Sequence, residues 1–264
     1  MNYKEIISSI TNKDLQPVYF LMGEEPYYID KLANAFAKNV LSAEEQEFNQ
    51  VILYGKEIET AQAIAEAKQF PFGSHKRVVI VREAQHLKDI DVLDTYLDNV
   101  QPSTLLVICY KGKSVDKRKK FGKTLASKCV VFESKKLYDN KIPAWINTYI
   151  TESGFKIDNS ATAVLAEYIG ADLSKITNEL EKLMLVVQKD EQITTALIEY
   201  HIGISKDYNV FELQNALGKK DVLKANKIIN HFAANPKDHH IVPTLGALFS
   251  YFQKIMVYHF LEDK

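Results

Sequence analysis

The sequence predicts a doubly wound α/β domain over residues 1–140, followed by purely helical segments to the end of the chain. Five short β-type runs, at residues 18–21, 51–54, 78–81, 105–109 and 130–132, all fall in the first half. Their β-branched and aromatic residues show no polar alternation, which marks strands covered on both faces in a parallel sheet. Segments of helical period separate them, so strand and helix alternate.

After the first strand, Ile29, Leu32, Ala33, Phe36 and Val40 fall on one helical face, with Pro26 placed where a first-turn proline is tolerated. A second apolar stripe, Leu93, Tyr96, Leu97 and Val100, predicts a helix before the fourth strand. From Ile142 onward the β signal disappears and only helical period remains. Ala161, Val164, Leu165, Tyr168 and Ile169 make one face, which Gly170 is expected to end in the left-handed conformation. Asp172 then caps a helix carrying Leu173, Ile176, Leu180, Leu183, Met184 and Val187. A last block begins near Tyr208, and its final helix is still periodic at Tyr258, Phe260 and Leu261, so the sequence reads as cut short within that block. The expected domains are therefore residues 1–140, 141–204 and 205–264.

With 264 residues, 46% of them hydrophobic, the chain can bury a full core. It has no run of about eighteen apolar residues to span a bilayer, and MNYKEIISSI lacks the pattern of a secretory signal, so a cytoplasmic location is expected. Cys109 and Cys129 lie within apolar runs and read as buried hydrophobes. His239 and His240 have no ligand partners at metal spacing, and no metal or cofactor is expected. A net charge of −1 supplies no global attraction for nucleic acid. Residues 111–123 nevertheless gather seven Lys or Arg against one Asp, while residues 141–204 hold five against nine acids.

In a doubly wound sheet the ligand crevice lies beyond the C-terminal ends of the strands. The turn there after the first strand reads GEEPYYID. A phosphate-binding loop needs a glycine, four residues, then Gly-Lys-Ser/Thr, for backbone cradling, charge neutralisation and Mg²⁺ ligation. Gly23 matches, but Tyr28, Ile29 and Asp30 stand at the other three positions, and Glu24 and Glu25 add negative charge. The third strand ends in Arg82 and Glu83 where an acidic pair would hold the metal, and a guanidinium cannot ligate a cation. The GKS at residues 112–114 is accidental, because its required first glycine falls on Val107 within a strand. The sequence thus has the framework of a nucleotide-binding fold with a degenerate site.

GEEPYYID after the first strand, KQFPFGSHKRVVIVREA around the third, AWINTYITESGFKID opening the helical part and ITNELEKLMLV in its second helix occur in an order and spacing that resemble the delta subunit family of bacterial DNA polymerase III. The resemblance runs through essentially the whole chain. It implies an AAA+ type domain with a five-stranded parallel sheet, a small helical lid and a partial helical collar. It also implies a clamp-loader subunit without catalytic activity of its own, within a nucleotidyltransferase holoenzyme acting in DNA replication. Such a subunit binds and opens the sliding clamp for loading onto primed DNA, joins the other loader subunits through its collar, and leaves ATP hydrolysis to its neighbours.

The family places its clamp-binding element just before the third strand, at Phe70, Pro71 and Phe72. The local sequence agrees: two aromatics flank a proline that fixes its own φ, between an amphipathic segment and a polar turn. Aromatics more often mark core, and packing of Phe70 and Phe72 beneath the sheet is the plainer alternative. Lys111, Lys113, Lys117, Arg118, Lys119 and Lys120 are candidate contacts to DNA phosphates, against the ordinary reading of a solvated loop. Competing readings are an active nucleotide hydrolase, a stand-alone nucleic-acid binder, and an AAA+ scaffold with another protein partner.

Overall fold

Asn2 opens the first helix, α1 (Tyr3–Thr11), through a capping box in which its side chain accepts the Glu5 amide at 3.0 Å and the Glu5 carboxylate accepts the Asn2 amide at 2.8 Å. The structure, a computed structural model, describes residues 1–202, 208, 210–236 and 239–261. The chain divides into two units, Met1–Tyr138 and Asp139–Lys264.

In the first unit α1 is followed by β1 (Val18–Gly23), α2 (Pro26–Asn39), α3 (Ala43–Asn49), β2 (Gln50–Tyr54), α4 (Thr60–Ala67) and β3 (Arg77–Arg82). Then come α5 (Asp94–Leu97), β4 (Thr104–Lys111), α6 (Lys120–Lys128) and β5 (Val130–Ser134). The five strands form one parallel sheet in the order β2-β3-β4-β1-β5. This is the five-stranded parallel sheet expected, with β1 hydrogen-bonded between β4 and β5.

Alternate residues of each inner strand enter different cores. Val18, Phe20 and Met22 join Val79, Val81, Leu106 and Ile108 on one face, packed against Ala63 and Ala67 of α4 and Phe121 and Leu125 of α6. Tyr19 and Leu21 join Val78, Ile80, Leu105 and Val107 on the other, packed against Ile6 of α1 and Ile29, Leu32 and Phe36 of α2. Two apolar faces explain the missing polar alternation, and each such side chain contributes about 1.5–3 kcal/mol when fully buried.

Before β4 the predicted helix is mostly a 3-10 turn, Ile90–Leu93, leading into α5. Asp89 stands just ahead of it with φ +49°, and the helical turns stop at Leu97, short of Val100. Leu93, Tyr96 and Leu97 are still buried as the stripe requires.

The second unit contains α7 (Ile142–Glu152), β6 (Lys156–Ile157), α8 (Asn159–Ile169), α9 (Leu173–Val186), β7 (Gln192–Ile193), α10 (Thr195–Ile202), α11 (Val210–Gly218), α12 (Val222–Ala234) and α13 (Ile241–His259). It is not purely helical, because β6 and β7 pair in parallel; strands of two residues are too short to leave a periodic signal. Asp172 caps α9 by accepting the Lys175 amide at 3.0 Å, as expected. Gly170 has φ +75° but ψ −147°, an extended conformation outside the left-handed helical well that glycine reaches most readily. Leu213, Ala216, Ala225, Ile228 and Phe232 form a small core between α11 and α12. The last helix ends at His259, before Phe260 and Leu261, and none of its residues is buried. The expected boundary between residues 204 and 205 lies outside the described residues.

Cys109 is fully buried in β4 and Cys129 is half-buried ahead of β5. Burial pushes both thiols up to about 12. Iodoacetamide at about pH 8 should therefore leave both unmodified in the folded chain and alkylate both in denaturant. Rapid labelling of the folded chain would show that these strands open readily.

Candidate functional site

The turn after β1 is where a phosphate cradle would form, and its backbone amides are already engaged. Gly23 donates to the Lys113 carbonyl at 3.2 Å, and Glu24 donates to the Ser134 carbonyl at 3.1 Å. Glu25 donates to the Ser134 hydroxyl at 3.3 Å, and Tyr27 donates to Glu25 Oε1 at 3.1 Å. Gly23 has φ +131°, and a Cβ there would stand 2.1 Å from the Ser134 carbonyl oxygen. Glycine is thus required for the close approach of β1 to the end of β5.

Sequence alone reads Glu24 and Glu25 as two charges facing a triphosphate. Only Glu24 is exposed; Glu25 is buried and caps α2, placing its own carboxylate at the helix N-terminus that would otherwise attract an anion. Ile29, at the position of the phosphate-binding lysine, is wholly buried in the core beneath α2.

The other crevice residues hold one another. Asp30 forms an ion pair with Lys111 at 2.6 Å. Arg82 donates through Nη2 to Asn34 Oδ1 at 2.7 Å, one helical turn beyond Asp30. Glu83, in a left-handed conformation at φ +52°, pairs with Lys56 at 3.4 Å. The acidic residue at the end of β3 is thereby turned toward the loop after β2.

Of the basic run, Lys111 is paired with Asp30 and its side chain is only 18% exposed. Lys113 lies 5.2 Å from the Tyr110 ring centroid. Lys117 pairs with Glu133 at 2.6 Å, and Arg118 is held by both carboxylate oxygens of Asp116 at 3.0 Å. Lys119 and Lys120 are exposed at the start of α6. Local acids therefore offset much of the charge that the sequence displays here.

The segment joining α4 to β3 carries the aromatic pair. Phe70 is 77% exposed and Phe72 is 75% exposed, so neither packs beneath the sheet; Pro71 is half-buried. The tip is tied down by Asn49, the buried last residue of α3. Its Oδ1 accepts the Phe72 amide at 2.6 Å, and its Nδ2 donates to the Phe72 carbonyl at 2.9 Å. Two residues further on, the Ser74 hydroxyl donates to Glu45 Oε1 at 2.7 Å. Glu45 also completes the capping box of α3 with Ser42. Hydrogen bonds from the Ser42 amide and then the Ser74 and Ser42 hydroxyls hold its carboxyl below the ordinary 4.5. Phe48, also on α3 and 61% exposed, places its ring centroid 6.1 Å from that of Phe72. Sequence reasoning missed Phe48, Asn49 and Glu45, since they lie more than twenty residues before the tip and no local pattern joins them to it.

Residues 19–135, within the α/β unit, match the family model of the DNA polymerase III delta subunit. The chain is 27% identical over 224 residues to the DNA polymerase III subunit delta of Bacillus subtilis, covering 81% of this chain and 64% of that protein's length. It is 26% identical over 275 residues to the probable DNA polymerase III subunit delta of Aquifex aeolicus, covering 96% and 74%. The solved structure of the Bacillus subtilis DNA clamp loader delta protein matches with a TM-score of 0.68 at 23% identity, covering 93% of this chain and 75% of that one. The resemblance to the delta family read from the motifs is borne out by these matches, and the fold is that of the clamp loader delta protein.

The close contact at the end of β1 gives a direct test. Gly23→Ala should destabilise the chain by about 2–4 kcal/mol in urea unfolding, from the φ penalty together with the collision against Ser134. A variant as stable as the wild type would show that β1 and β5 can part at no cost.

Proposed function

We propose that this chain is a clamp-loader subunit of the DNA polymerase III holoenzyme that grips the sliding clamp without hydrolysing ATP itself. The observation that carries the proposal is the solvent exposure of Phe70 and Phe72 on a segment anchored by Asn49. An anchored tip loses little conformational freedom on docking, so more of its contact energy appears as affinity. Two aromatic anchors entering an apolar pocket contribute about 2 kcal/mol or more each. Docking shifts the clamp between closed and opened rings only by the difference in affinity for the two states, and on this reading the tip favours the opened ring. That step needs no nucleotide on this chain.

The crevice supports the same reading. A triphosphate placed there would find the turn amides engaged, the nearest strand-end lysine paired with Asp30, and no cation at residue 29. The missing charge-assisted contact alone is worth about 1.5–3 kcal/mol. ATP binding and hydrolysis then fall to neighbouring subunits. Residues 141–204 serve as the lid and 205–264 as the collar segment that joins those neighbours. Lys113, Lys117, Arg118, Lys119 and Lys120, all more exposed than Lys111, are with it the contacts offered to primed DNA.

Capture of a purified sliding clamp by the full-length chain tests the tip. Phe72→Ala should reduce the affinity about thirtyfold or more while leaving thermal unfolding unchanged, because the ring is exposed. Wild-type affinity in that variant would overturn the assignment. Equilibrium titration with Mg-ATP should give no saturable binding to the isolated chain, and micromolar binding would overturn the reading of the crevice.

A further inference from the structure

The tip is not the product of one segment. Asn49 binds the backbone of Phe72 on both its amide and its carbonyl, and the Ser74 hydroxyl is held by Glu45, so residues 45–49 of α3 and 72–74 are fastened together at two points. Phe48 lies between those two fastenings, largely exposed, with its ring tilted 52° to that of Phe72 at 6.1 Å between centroids. That spacing falls within the range of favourable aromatic pairs. A ring this exposed adds little to the core, and Phe48 belongs to neither of the two cores of the sheet. A residue that pins the neighbouring backbone while the next one shows its ring to solvent builds a platform.

We infer that the surface offered to the clamp is a three-ring patch, Phe48, Phe70 and Phe72, drawn from α3 and the α4–β3 segment, with Phe48 a direct contact residue. The inference rests on the reading that this tip meets the sliding clamp, and it commits to the same occupant, because Phe48 touches Phe72 and continues its exposed apolar surface. A pocket that receives Phe72 must pass within van der Waals reach of Phe48 or leave that ring facing water at the rim. The first arrangement buries apolar area on both partners, and a ring set beside a central anchor also excludes water from it. The patch is rigid in a way a single loop is not, because α3 is fixed by its own capping box and by Asn49 at its far end.

Two measurements with the full-length chain and a purified sliding clamp test this. Phe48→Ala should weaken clamp affinity about tenfold with thermal unfolding unchanged. A photoreactive phenylalanine analogue introduced at position 48 should crosslink to the clamp. If Phe72→Ala loses binding while Phe48→Ala binds as the wild type and the analogue gives no crosslink, the three-ring patch is wrong and the tip reading stands. If Phe72→Ala also binds as the wild type, the tip reading itself fails and this inference falls with it.

Discussion

Ser134 takes the Glu24 amide on its carbonyl and the Glu25 amide on its hydroxyl, while Lys113 takes the amide of Gly23. Buried backbone donors must be paired, and in a phosphate-binding loop their partner is the ligand itself. Here the end of β5 and the loop after β4 fill that role. The turn is complete without a ligand, so the first helix of the crevice can start with a glutamate cap and bury Ile29 where a cation would have to reach outward. The pairing of Asp30 with Lys111 and of Arg82 with Asn34 extends the same closure to the ends of β3 and β4. On the proposed reading, the sheet keeps its architecture while its crevice acts as a structural joint.

Closure at one end of the sheet leaves the proposed work to its other features. The α4–β3 segment emerges ahead of β3, next to the edge strand β2, and α3 leads directly into that edge. Asn49 sits at this junction and ties the segment to the start of β2. The tip is thus referenced to the sheet through hydrogen bonds as well as through the covalent chain. On the proposed reading, that linkage is what lets a small aromatic patch act as a rigid contact.

The strands were legible because burial on both faces removes polar alternation, and α2 was legible because Pro26 and the stripe through Phe36 agree about where it starts and which face it buries. The aromatic pair could be found, but local sequence could not decide between core and surface; the backbone of Phe72 is held by Asn49, a partner more than twenty residues away. Lys111 looked like one more member of a charge run because its partner, Asp30, lies on another element. Periodicity in α13 correctly marked a helix and an apolar character, yet its residues are not buried, since period reports a face and says nothing about what covers it. The pair β6 and β7 escaped notice because two residues cannot display a repeat.

Ser134 also bears on how easily this fold could be re-engineered toward nucleotide. Installing a lysine at residue 29 would drive an ammonium into a hydrocarbon interior while leaving the turn amides bonded as before. A hydroxyl at residue 30 would in turn strand the ammonium of Lys111. The two edits meet separate obstacles, one in the core beneath α2 and the other at the end of β4, so neither change removes the barrier that faces the other.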